Sequence, residues 1–162
     1  MVEPLNSFSK PMDLLRTMVA NSTSFQTWVG AVDATAAKAF IHLIRTNPTP
    51  TWPLAVIDFG DEYGRLRESG GSNQVFTQLG SMLLMFEMKV TPFNTDNWQD
   101  AGLALTNQVG LILDDIQAQA GQPDMLAIKS WELKKLGRTD EDERQSTGND
   151  LYTIVFEIDW GP

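Results

Sequence analysis

The stretch MLLMFEMKV, residues 82–90, decides what kind of fold this chain can adopt. Only Glu87 and Lys89 interrupt its apolar run. A membrane span needs about 18 apolar residues in succession, and Glu87 breaks the run well before that. A β-strand fits instead. Leu84, Phe86, Met88 and Val90 fall on one face, and Leu83, Met85, Glu87 and Lys89 on the other. Pro92 ends it, because proline cannot donate to a sheet ladder.

Downstream, DNWQDAGLALTNQVGLILDDIQAQAGQP carries the clearest periodicity. Trp98, Ala101, Leu105, Val109, Ile112, Ile116 and Ala120 recur at spacings of three and four, which is one face of a helix. Asp96 with Gln99 resembles a capping box, and Gly121 and Pro123 mark the end. Two more strands follow, MLAIKSWELKKL and LYTIVFEIDWG. In the second, Tyr152, Ile154, Phe156, Ile158 and Trp160 share a face. In the first, the apolar phase shifts near Ser130, which predicts a bulge. Residues 137–149, GRTDEDERQSTGN, form an exposed, mobile hairpin connection.

Upstream, Pro11 near a first helical position and the stripe Met12, Leu15, Val19 predict a helix from about residue 11 to 21. SFQTWVG reads as a short helical turn ended by Gly30, with Phe25 and Trp28 as core anchors. Residues 34–45 fit either state, since the alanines favour helix and Phe40, Ile41 and Ile44 favour strand. Three prolines in TNPTPTWP force a break before the short strand LAVIDFG. DEYGRLRESGGSNQ reads as a loop or a mobile hairpin.

These elements predict a single α+β domain over residues 1–162. Its mainly antiparallel sheet of four to five strands packs against one long helix, with an N-terminal helix beside it. The face opposite the long helix still carries Leu83, Met85, Leu151 and Val155. A solvated second face should alternate more cleanly than this. Either the N-terminal helix with Trp28 covers it, or a neighbouring subunit does.

The 162 residues suffice for one domain with a real core. There is no cysteine, which removes disulfides and thiol chemistry together. A net charge of −9 repels a phosphate backbone, so sequence-specific DNA binding is not expected. No basic region precedes an apolar stretch at the N-terminus, so no signal peptide is expected.

No phosphate-binding, dinucleotide-binding, zinc-protease or nucleophile-elbow pattern occurs. His42 is the single histidine, set inside FIHLI. It reads as a packed or edge-exposed residue rather than a catalyst. Asp58, Asp61 and Glu62 could hold Mg²⁺ or Ca²⁺, but they lack calcium-loop spacing and read as a solvated turn. Asp114 and Asp115 lie off the apolar stripe and read as solvated. No catalytic residue, metal or cofactor is expected.

The order of these elements resembles the tail terminator and tail completion (neck) proteins of tailed bacteriophages. The likeness rests on the leading helix, SFQTWVG, PLAVIDFG after a proline break, GSMLLMFEMKV, the single long helix and the closing hairpin ending in YTIVFEIDWG. It implies a structural virion protein, assembled in the host cytoplasm, that closes into a ring, usually of six subunits. The ring ends the tail tube and meets the head-side connector, and DNA passes through its lumen. No enzyme activity and no membrane partner are implied. Leu83, Met85, Leu151 and Val155 are then the candidate subunit interface. Asp140, Glu141, Asp142, Glu143 and Arg144 are the candidate lumen or partner-contact loop. The alternatives are a baseplate or minor tail component, or a non-viral small-ligand or peptide-binding α/β module with its site near Trp131 and Trp160.

Overall fold

The computed structural model describes residues 10–43, 51–59, 65–69, 75–90, 95–138 and 151–161. Helix α1 (Lys10–Asn21) takes Pro11 in its first turn, where the missing N–H has no helical partner to lose. Its stripe Met12, Leu15, Met18 and Val19 is buried. Ser22 then caps α2 (Thr23–Val29), accepting from the Phe25 N–H at 3.0 Å. Gly30 ends α2 at φ 72°, a left-handed backbone that glycine adopts without a Cβ clash.

The ambiguous stretch holds both structures in succession. Asp33 caps α3 (Ala34–Ala37) through the Ala36 N–H at 2.8 Å, and a 3₁₀ turn covers Lys38–Phe40. Strand β1 (Ile41–Leu43) follows at once. The alanines take the helix and the β-branched residue opens the strand.

Strands β2 (Leu54–Phe59), β3 (Arg65–Ser69), β4 (Val75–Lys89), β5 (Ile128–Arg138) and β6 (Leu151–Trp160) complete the sheet. The strand order is β1-β2-β4-β6-β5. Only the β1–β2 pair is parallel among the described strands. The domain is therefore α+β with a mostly antiparallel sheet, as the sequence predicts, but β4 is longer than expected. Its second part, from Gly80 to Lys89, pairs with β6, while Val75–Leu79 pair with β3. Those five pairs form a two-stranded ribbon of roughly 17 Å past the last β4–β6 pair, Gly80 with Trp160. The expected bulge near Ser130 is present, and a second lies between Leu133 and Lys135.

Helix α4 (Thr95–Gln119) has 25 residues, a rod of about 37 Å. Leu105, Val109, Ile112 and Ile116 are buried against the sheet, as the periodicity requires. They meet Met82, Leu84 and Phe86 of β4 and Tyr152, Ile154, Phe156, Ile158 and Trp160 of β6 in one core. Helix α4 also crosses β6 closely. A Cβ added at Gly102 would lie 2.5 Å from the Tyr152 hydroxyl oxygen.

Helices α1 and α2 share that same core, which corrects one expectation. Trp28 packs edge-on against Phe25 and Phe86, each at 6.1 Å between ring centroids. The N-terminal helix and Trp28 therefore lie on the face that α4 covers, and not on the opposite one. The physical reason is the run of large side chains on that side. Phe25, Trp28 and Phe86 need each other's edges to fill the space beside α4.

Candidate functional site

The face of the sheet opposite α4 can be read from the strand register. Val56, Met85 and Val155 lie in one cross-strand row, and Leu54, Glu87 and Thr153 in the next. Asp58, Leu83, Glu157 and Glu132 form a third. The expected interface residues divide on this face. Leu83 and Met85 are half-buried. Leu151 is 0% exposed and Val155 9% exposed, so these two have little surface left for a neighbour. Leu54 and Val56 are buried beside them.

Polar groups fill the rest of this face. Glu87 is buried, and its Oε2 accepts from the Trp52 indole N–H at 3.3 Å. Trp52 is half-buried. At the β5 side, the Lys134 ammonium sits 3.0 Å from the carboxylates of both Glu132 and Glu157. The hydrogen bonds that the ammonium donates to Glu132 and then Glu157 push its pKa up from the ordinary lysine value.

The residues weighed for chemistry are scattered. His42 is half-buried on β1 beside Val56. Asp58 is the penultimate residue of β2, while Asp61 and Glu62 lie outside the described residues. Among the described residues, no three histidine or acidic side chains gather as a metal site. Asp140, Glu141, Asp142, Glu143 and Arg144 also lie outside the described residues. Gly137 and Arg138, expected in that connection, belong to β5 instead.

Asp115 departs from its expected solvated role. Its Oδ2 accepts from the Ser22 hydroxyl at 2.7 Å and from the Ser24 N–H at 3.0 Å. Two more α4 side chains reach the same elbow. Gln108 donates to the Ser24 carbonyl at 3.1 Å, and Gln119 to the Met18 carbonyl at 2.9 Å. One flank of α4 thus holds the α1–α2 junction by polar contacts to backbone groups. The opposite flank faces β5, where Gln117 accepts from the Trp131 indole N–H at 3.1 Å.

Apolar surface appears on both flanks, and the periodicity of α4 alone does not reveal it. Leu103 and Leu111 are 64% and 55% exposed, off the stripe that meets the sheet. Leu111 follows Gln108 by three residues and precedes Asp115 by four, which places it on the α2 flank. On β5, Leu133 and Leu136 stand opposite Phe156 and Ile154, so they share the helix-side face. They are 52% and 45% exposed all the same, because β5 is the edge strand of the sheet. The signal was present in the sequence as two leucines too many on the long helix and two on the outer strand. Trp131 is half-buried at the end of this β5 surface, while Trp160 is buried in the core. The two tryptophans therefore do not form an open aromatic pair.

No helix among the described residues is long and apolar enough to cross a membrane. No protein-family model matches this chain, and no curated protein matches its sequence.

Proposed function

We propose that this chain is a structural virion protein of the tail terminator or tail completion class. In this reading its copies close head to tail into a ring on the tail tube. The observation that carries the reading is the apolar surface on two flanks of one chain, Leu111 beside α2 and Leu133 with Leu136 on β5. A heterologous contact needs two different patches on each copy, and a ring closes when the rotation between copies permits it. The β3–β4 ribbon adds strand edges that, among the described residues, pair only with each other. The element order supports the same class: a leading helix, a proline break, a long strand, one long helix and a closing strand pair.

The partners of such a ring are the tail tube protein on one side and the head-side connector on the other. DNA would pass through the lumen without being read. The net charge of −9 suits passage, since an acidic wall gives phosphates nothing to bind.

Native mass across concentration, with negative-stain images of the same sample, tests the proposal. Six chains of 18.0 kDa give 108 kDa (6 × 18.0). Rings at that mass, or capping of purified tail tubes by added protein, is the expected result. A chain that stays at 18.0 kDa and leaves tube growth unchanged overturns it.

A ligand-binding module is the second reading, favoured by the exposed Leu133 and Leu136 on the strand that carries half-buried Trp131. It predicts a monomer whose thermal midpoint rises with a small apolar ligand or peptide.

A further inference from the structure

We draw no further inference here: the strongest candidate, the exposed apolar patch of Leu133 and Leu136 on the edge strand β5, belongs to the surface already described, and nothing in the structure shows what covers it.

Discussion

Asp115 of α4 and Ser22 at the start of α2 are joined by a 2.7 Å hydrogen bond across 93 positions of sequence. Ser22 spends its oxygen twice, donating to Asp115 and accepting from the Phe25 N–H. Asp115 also accepts from the Ser24 N–H, so a carboxylate on one helix satisfies the open donors of another. Replacing Asp115 by alanine removes both bonds and leaves Ser24 without its acceptor. The expected loss is about 1–2 kcal/mol at neutral pH, read as a lower urea midpoint at unchanged slope.

The same contact makes an acid limb. Burial works to raise the Asp115 pKa, but hydrogen bonds from the Ser24 N–H and the Ser22, Ser24 and Thr23 side chains outweigh it and hold the carboxyl below its ordinary value. A depressed folded pKa contributes stability above the unfolded value of about 3.9, lost as pH falls through the folded one. Asp115→Ala should therefore fall short of the parent by more at pH 6 than in acid, with the gap narrowing as pH falls through the lowered Asp115 pKa. A difference that stays constant through that fall would mean the charge of Asp115 is irrelevant to the clamp.

Two glycines of α4 should respond to alanine with opposite signs. At Gly110 an added Cβ meets nothing within 4 Å. Alanine should stabilise the folded chain there by about 0.5–1 kcal/mol, through helix propensity alone. At Gly102 the added carbon meets the Tyr152 Oη at 2.5 Å and Cζ at 2.8 Å. Tyr152 is 3% exposed, so its ring sits among close-packed core neighbours. Overpacking there should cost about 1–3 kcal/mol and exceed the propensity gain. Thermal midpoints of the two variants, one above and one below the parent, check both.

Much of this fold was legible because long periodic segments carry their own signal. The α4 stripe and the alternation of β6 needed only spacing. The start of β4 did not show itself, because Val75–Leu79 are held by backbone pairing with β3, and a ribbon needs no continuous apolar face. Residues 34–45 looked ambiguous because helix and strand follow each other there within ten positions. Asp115 looked solvated because its partners come from Ser22 and Ser24, far away in sequence. The side of the sheet taken by α1 is a matter of connection and packing, which no local window contains. For the same reason Leu151 and Val155 could not be told from Leu83 and Met85: all four share the alternation, and only tertiary cover separates them.

That separation predicts a split on the face opposite α4. Val155→Asp or Leu151→Asp places a charge where the side chain is at most 9% exposed, and should destabilise the fold strongly, by about 3 kcal/mol or more. Met85→Lys has partial solvent access and a long stem that can carry its ammonium outward, so it should cost less than half as much. Chemical denaturation of the three variants decides the ordering. Equal losses would mean that Met85 is as closed as its neighbours on β6.

A head-to-tail contact makes a stronger claim than oligomerisation alone, and mixing two blocked variants exposes it. Leu111→Glu blocks the α2 flank and Leu133→Glu blocks the β5 flank. Both side chains are more than half exposed, so each variant should keep its fold, with a stability change within about 1 kcal/mol. Either change alone should abolish the ring and leave the 18.0 kDa chain. An equimolar mixture still offers one intact patch of each kind, on different molecules. It should give a heterodimer of 36.0 kDa (2 × 18.0) that cannot grow further, because both outward patches carry a charge. An isologous interface behaves otherwise. There each patch meets its own copy, so one of the single variants would dimerise alone, and mixing would add nothing. Native mass of the three samples separates these outcomes, and a mixture that remains monomeric would show that Leu111 and Leu133 do not face each other across a subunit boundary.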